Sequence, residues 1–178
     1  MRTRFRNVAC LLAVLFCLSG CLKLDLTLEE GGGGKFTLVH PASNLDEVKR
    51  RASSPSVTLE DASLKGNTAT VRAKFTDVTK ISSAEMFKDV VITVDTAGGQ
   101  SNFIARLNNS FAKKTPESVL KSIVDRSEKE AVITVTFPGE VTETNATKKQ
   151  GKVATWVVPT RDIVYSPLIR FEAKYKKR

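Results

Sequence analysis

Alternation of apolar and polar residues is the clearest pattern in this chain, and it predicts a series of β-strands. In residues 22–29, leucine occupies every second position and Lys23, Asp25, Thr27 and Glu29 occupy the others, the period of a half-buried strand. Similar runs recur further on, separated by turn residues such as those at 31–34, 65–67 and 98–99. We expect neighbouring runs to pair as hairpins. The predicted strands are 22–29, 35–39, 57–64, 68–75, 90–95, 102–107, 131–137, 152–158 and 168–175, with a polar loop at 145–150.

Helix signals are few and short. Asn44 with Glu47, and Ser82 with Glu85, have the spacing of capping boxes and predict helical turns to Arg51 and to about Lys88. Residues 115–117 predict the start of the main helix, which we expect to pack on the sheet through Val119, Leu120, Ile123 and Val124. A further short turn follows from Thr160. The predicted fold class is α+β, a mainly antiparallel sheet built from hairpins with two or three short helices packed on it.

The first twenty residues have the layout of an export signal. Arg2, Arg4 and Arg6 precede an apolar run at 8–18 and the small residues Ser19 and Gly20, which is typical of a secretory signal peptide. Residues 18–21, Leu-Ser-Gly-Cys, resemble the processing site of bacterial lipoproteins. That resemblance implies cleavage before Cys21 and acyl chains on its sulfur and its amine. The domain prediction is a signal peptide at 1–20 and one folded domain at 21–178.

A transmembrane helix is the alternative interpretation of this run. A spanning helix needs about 20 apolar residues, and Lys23 and Asp25 interrupt the run too early. Two or more acyl chains hold a protein on a bilayer without such a helix. We therefore expect a lipid anchor on the exported side of a cell membrane or outer membrane. In bacteria with two membranes, Leu22 after Cys21 favours the outer one, by resemblance to lipoproteins generally.

Composition excludes several kinds of chemistry. Cys10 and Cys17 lie in the leader and Cys21 is the lipidation site, so no thiol remains for a disulfide, a cluster or a nucleophile. His40 is the only histidine. A zinc site normally draws its ligands from cysteine and histidine, and a hydrolytic triad normally needs a histidine base. Because a single histidine at a strand end is more often a surface residue than a catalyst, we interpret His40 as a surface residue. The sequence predicts no enzymatic activity, cofactor or metal.

The chain is basic, with a formal charge of +9. Export and the lack of a basic and aromatic recognition motif exclude nucleic acid, whereas anionic lipid or an envelope protein remains a candidate partner. A single basic cluster is more often a solvated face than a binding site, but we expect one or two of these clusters to face the membrane. The acidic pairs, such as Glu140 with Glu143, are interpreted as surface charge. The candidate contacts with anionic groups are Lys113, Lys114, Lys148, Lys149, Lys152, Lys176, Lys177 and Arg178.

One segment resembles a known family. In residues 133–159 a strand ends in Phe137-Pro138-Gly139, Val141 and Asn145 follow, and Thr155-Trp156 lies on the returning strand. This segment resembles the bacterial LppM-type lipoprotein domain. The resemblance implies an α+β domain displayed on the cell envelope, similar to lipid-binding folds and without enzymatic activity. Family members often carry a membrane helix after the domain; without one here, the N-terminal lipid is the expected anchor.

The motif residues also have a plain structural interpretation. Residues 138–139 form a turn, Asn145 caps a loop, and Trp156 is buried with a partner for its ring N–H. The alternative is an exposed Trp156 that inserts into lipid.

Two functions remain open. The first is a lipid-anchored envelope protein that binds lipid, envelope polymer or a protein partner close to the membrane. A hydrophobic pocket between the main helix and the sheet, rimmed by lysines, would favour it. The alternative is a structural or assembly subunit with no small-molecule ligand, which a filled core and a flat apolar patch would favour.

Overall fold

Two β-sheets pack against each other around one hydrophobic core. The computed structural model describes residues 22–109, 115–126 and 129–176. Helices α1, α2 and α3 span Leu45–Ala52, Glu117–Arg126 and Thr160–Tyr165, and two 3₁₀ helices span Val78–Ser83 and Glu85–Phe87. The strands within the described residues are β1 Lys23–Leu28, β2 Gly34–Pro41, β3 Val57–Lys65, β4 Thr68–Phe75, β5 Val90–Ala97, β6 Gln100–Asn108, β7 Glu130–Thr136, β8 Val141–Thr144, β9 Lys148–Gln150, β10 Val153–Pro159 and β11 Leu168–Lys176.

The larger sheet has the strand order β3-β4-β2-β1-β7-β10-β9, and the smaller sheet has the order β5-β6-β11-β8. The hairpins β1–β2, β3–β4 and β5–β6 form as the turn residues predict. One pair breaks the antiparallel pattern, because β1 and β7 run parallel, with Lys23 opposite Val132. The α+β class with mostly antiparallel sheets is confirmed.

The segment 145–150, predicted as a polar loop, differs in the structure. Its last three residues form β9, which pairs with β10 at the edge of the larger sheet. All three side chains of β9 are exposed. A strand without an apolar residue has no hydrophobic period, so the sequence pattern carried no sign of it.

The observed helix starts agree in part with the predicted ones. Asn44 caps α1 by accepting a hydrogen bond from the Glu47 amide at 3.0 Å, as predicted. The predicted cap at Ser82 is wrong, because the 3₁₀ turn already begins at Val78. Asp77 caps that turn and accepts from the Thr79 amide at 2.9 Å, and a carboxylate satisfies an orphan amide there as well as a hydroxyl would.

Helix α2 forms where predicted but packs elsewhere. Leu120 and Ile123 are buried against Val164 of α3 in a small second cluster, rather than on the sheet. The apolar inner faces of the two sheets cover each other, so α2 buries its own apolar face on a neighbouring helix instead. No helix in the described part of the chain is long and apolar enough to cross a membrane.

A corner carries the chain from the larger sheet to the smaller one. Phe137 directly follows β7 and packs edge-on against Phe103 of β6, with ring centroids 5.4 Å apart. Gly139 follows, and a Cβ atom there would overlap the carbonyl oxygen of Lys176. Glycine is therefore needed at this position because the backbone of β11 passes so close.

Candidate functional site

The core between the two sheets is not completely filled. A cavity of about 200 Å³ lies between them, and all of the residues that line it are apolar. Leu22, Leu24 and Leu26 contribute one wall because alternate residues of a strand point to the same face. The opposite wall comes from the smaller sheet, and the two 3₁₀ helices and α3 close the sides. The other lining residues are Leu38, Ile81, Met86, Phe87, Val90, Ile92, Phe103, Ala105, Leu107, Ile133, Val135, Ile163 and Phe171.

The size of this cavity restricts what it can hold. An apolar protein cavity of about 150 Å³ stays dry and takes up benzene, so 200 Å³ accepts a hydrocarbon fragment somewhat larger than a benzene ring. Sites for whole small molecules occupy about 300–1,000 Å³ and usually contain a few polar groups. The dimensions and the apolar lining therefore suit part of a single hydrocarbon chain.

The cavity opens at one end of the sheets. The deep lining residues, such as Phe103 and Val135, are buried. Those that are only half-buried are Leu22, Leu24, Met86, Val90, Leu107 and Ile133. Leu22 precedes β1, Val90 begins β5, and Leu107 lies opposite Val90 near the end of β6. The mouth thus lies where β1 and β5 begin.

Cys21, the predicted lipidation site, lies outside the described residues. Its neighbour Leu22 lines the cavity, and the Leu22 carbonyl accepts a hydrogen bond from the Val132 amide at 2.9 Å. The chain therefore joins the folded domain at the mouth of the cavity, with no polar linker after Leu22.

The candidate basic residues in the described part of the chain are not gathered at this mouth. Lys148 and Lys149 on β9 lie level with Asp25 and Leu26, through the registers of β10 and β7. The Nζ atoms of Lys149 and Lys152 donate to the carbonyl oxygens of Thr142 and Pro138, each at 2.9 Å.

Of the remaining basic candidates, one lies in the described part of the chain and four lie outside it. Lys176 ends β11, eight residues beyond Leu168, and its Nζ lies 3.0 Å from Glu140. That ammonium lowers the pKa of the Glu140 carboxyl. Lys113, Lys114, Lys177 and Arg178 lie outside the described residues. Among the described residues, the candidates Lys148, Lys149, Lys152 and Lys176 therefore do not form the expected rim around the pocket.

His40 is a correction to the sequence interpretation. It is the last residue but one of β2, and the expected surface position is wrong because only 9% of it is exposed. Its Nδ1 lies 2.8 Å from the Pro41 carbonyl oxygen, and its buried Nε2 has no hydrogen-bond partner among the described residues. Burial lowers the pKa of His40, and the nearby Arg51 lowers it further, against the opposing effect of the Pro41 bond. We therefore assign the neutral ring to His40.

The motif residues Asn145 and Trp156 meet in space. Trp156 is 4% exposed, so the prediction of a buried ring is confirmed and the exposed alternative is wrong. Its Nε1 donates to Asn145 Oδ1 at 2.7 Å, and its ring packs edge-on against Phe171 at 5.7 Å. Asn145 and Trp156 hold the two sheets together beside the cavity, and neither of them lines it.

A second hollow of about 400 Å³ lies at the opposite end, beside the glycine turn of β1–β2. Its lining includes carboxylates of Glu29, Glu30 and Asp77, and Asp77 is already engaged in capping Thr79. Among the described residues, no group of three or more His, Cys, Asp or Glu side chains is placed to hold a metal ion. The apolar cavity is therefore the better candidate site.

Sequence reasoning missed most of this site. The alternating pattern identified the inward-facing leucines of β1, and the expected pocket lay between the main helix and the sheet. The opposite wall comes from Ile92, Phe103 and Ala105, which are distant from β1 in sequence. Their inward position follows from period two, but which sheet they face depends on the pairing of the strands.

Comparison with known proteins agrees with this architecture. Residues 33–164 match the family model described as the LppM domain. The NMR structure of the folded domain of LppM from Mycobacterium tuberculosis is similar, with a TM-score of 0.55 over 90% of this chain and 91% of that one, at 13% identity. No curated protein matches the chain. Because the family model covers most of the sequence, this chain belongs to the LppM domain family, a family of lipoproteins.

Proposed function

We propose that this protein is a non-enzymatic lipoprotein of the cell envelope, anchored through acyl chains on Cys21, and that it binds a hydrocarbon chain of an envelope lipid. The observation that carries the proposal is the apolar cavity of about 200 Å³ with its mouth at Leu22. Membership of a lipoprotein family supports the envelope location. The resemblance of the family to lipid-binding folds agrees with the chemistry of the lining.

The energetics favour weak and exchangeable binding. Burial of each methylene contributes about 0.8 kcal/mol, and a cavity of this size holds a segment of about six carbons on the benzene comparison. The gain is then about 5 kcal/mol before the loss of chain freedom. Such a protein holds one lipid chain loosely while the headgroup and the rest of the lipid stay outside.

The position of the mouth matches this function. An anchor on Cys21 brings the Leu22 end of the domain against the bilayer, because no linker separates them. The mouth then faces the layer in which lipid chains are found. The alternative of a structural subunit without a ligand has less support, since the core between the sheets is not filled.

Lipidation itself is tested by the intact mass of the protein purified from the membrane fraction. We expect loss of residues 1–20 and the added mass of acyl chains on Cys21. A product that keeps its first twenty residues, or one with an unmodified Cys21, would overturn the anchoring.

Chain binding is tested with a fluorescent fatty acid and the Cys21→Ser protein, which lacks acyl chains. Ala105 lines the cavity, whereas its neighbour Ile104 points to the other face of β6. We expect saturable binding that Ala105→Phe weakens at least tenfold and Ile104→Phe leaves within twofold. Absence of saturable binding, or equal losses in the two variants, would overturn the proposal.

A further inference from the structure

We infer that in the lipidated protein the cavity is occupied by one of the protein's own acyl chains. This inference rests on the lipidation of Cys21 in the proposed function, and it identifies the first occupant of the cavity. The domain would then be an intramolecular lipid carrier, with its anchor divided between the bilayer and its own core.

The first step is whether an acyl chain on Cys21 can reach the cavity. Leu22 is both a lining residue of the cavity and the residue bonded to Cys21. Consecutive Cα atoms are about 3.8 Å apart, so the acylated residue is one peptide unit from the wall. The hydrogen bond from Val132 holds the Leu22 backbone in place. An acyl chain attached at Cys21 therefore starts beside the mouth and needs no flexible linker to enter.

The second step is the number of chains. The processing-site resemblance implies a diacylglycerol on the sulfur and a further acyl chain on the amine of Cys21. Two chains are enough for stable membrane anchoring. One chain can therefore leave the bilayer without releasing the protein. The volume of about 200 Å³ suits part of one chain and excludes two.

The third step is competition. A group linked to the protein experiences an effective concentration in the millimolar range when its tether is short. A free lipid must exceed that concentration, or bind more tightly, to displace it. The apolar lining offers no polar group that would favour a foreign headgroup. The tethered chain is thus the preferred occupant, and a foreign chain enters only by exchange.

The experiment uses the full chain, expressed in a lipoprotein-processing bacterium that is fed a fatty acid with a photoreactive diazirine near its end. After irradiation in the membrane, the protein is digested and the cross-linked peptides are identified by mass spectrometry. We expect the acylated N-terminal peptide to be cross-linked to cavity peptides from β6 or β11 of the same molecule. Ala105→Phe should reduce these cross-links at least fivefold, and Ile104→Phe should leave them unchanged.

A second pair of variants covers the case in which Ala105→Phe does not fold. Val90 is half-buried at the mouth, while Val91, the next residue of β5, is 44% exposed. Val90→Lys should reduce the intramolecular cross-links, and Val91→Lys should not. Cross-links of the acyl chains to phospholipid alone would overturn the inference.

The two proposals fail separately. If the acyl chains cross-link only to phospholipid while the Cys21→Ser protein still binds the fluorescent fatty acid, the inference is wrong and the proposed binding stands. If Cys21→Ser binds no fatty acid and the intramolecular cross-links form, the cavity holds its own chain and the proposed binding of other lipids is wrong.

Discussion

Asn145 joins the two sheets through a single side chain. Its Oδ1 accepts hydrogen bonds from Trp156 Nε1 in the larger sheet at 2.7 Å and from the Glu172 amide in the smaller sheet at 2.8 Å. Its Nδ2 donates to the Arg170 carbonyl at 3.0 Å. Asparagine carries an acceptor and a donor on two separate atoms of a short side chain. An ionised aspartate lacks the donor, and serine has a single oxygen for both roles. The pairing explains why an asparagine and a tryptophan occur together in this segment.

We expect Asn145→Ala to destabilise the domain by about 1–3 kcal/mol, because it leaves the ring N–H of the buried Trp156 without its acceptor. Trp156 is the only tryptophan, so urea unfolding of the Asn145 variant can be followed by its fluorescence. Trp156→Phe removes the ring donor and is followed by circular dichroism. If the hydrogen bond stabilises the domain, the variant with both substitutions will lose less free energy of unfolding than the sum of the two single losses. We expect a coupling of about 0.5–3 kcal/mol. Additive losses would show that Asn145 acts independently of Trp156.

The neutral His40 makes stability depend on pH. Burial lowers the pKa of His40 in the folded protein, whereas an unfolded histidine titrates near 6.5. Below that pH the unfolded chain binds the additional proton, so stability is full above about pH 6.5 and is lost as the pH falls towards the folded pKa. The nearby Arg51 also opposes protonation.

We therefore expect the free energy of unfolding to fall between pH 6.5 and 5.5 with a slope of up to about 1.4 kcal/mol per pH unit. His40→Leu removes the titrating group together with the buried Nε2, for which the described part of the chain provides no partner. This variant should show a flat profile over the same interval. Denaturant unfolding at several pH values measures both slopes, and equal slopes in the two proteins would rule out His40 as the cause.

At the level of strands and helices, the local signals identified most elements. The turn with Gly66 and the capping residue Asn44 act within a few residues, so their hydrogen bonds could be anticipated from the sequence. The parallel pairing of β1 with β7 could not be anticipated, because it joins strands that are about a hundred residues apart. Strand β9 carries no apolar residue and exists through its pairing with β10.

The placement of α2 and of the cavity could not be predicted either, because it also depends on contacts between residues that are distant in sequence. The apolar face of α2 was visible in its period, but its partner Val164 belongs to a helix of only six residues. The cavity exists because side chains from both sheets and α3 do not fill the space between them. Packing defects depend on the volumes of residues brought together by the whole topology, and no local pattern records them. Gly139 likewise meets Lys176 only in the folded chain.

The whole molecule has two different ends. Leu22, the cavity mouth and the end of β6 lie together, and Asn109 after β6 donates through Nδ2 to the Ile163 carbonyl of α3 at 2.6 Å. Lys88 lies two residues before β5 and Lys129 one residue before β7, and both side chains are exposed. Because β7 runs parallel to β1, these two lysines lie at the Leu22 end. Lys152 and Lys176 mark the other end, as the registers of β10 and β11 show.

We expect this difference between the two ends to decide which basic residues contact anionic lipid. Each lysine near a negatively charged surface contributes about 1 kcal/mol, so replacing Lys88 and Lys129 by alanine should weaken binding of the Cys21→Ser protein to anionic vesicles by about 30-fold. The matched control replaces Lys148 and Lys149, which lie away from the mouth, and should weaken binding less than threefold. Vesicle co-sedimentation at two salt concentrations measures both, and the difference should shrink at high salt because exposed charges are screened. Equal losses would mean that the vesicle meets the domain without a preferred end, and a larger loss in the control would place the membrane at the β9 edge, away from Leu22.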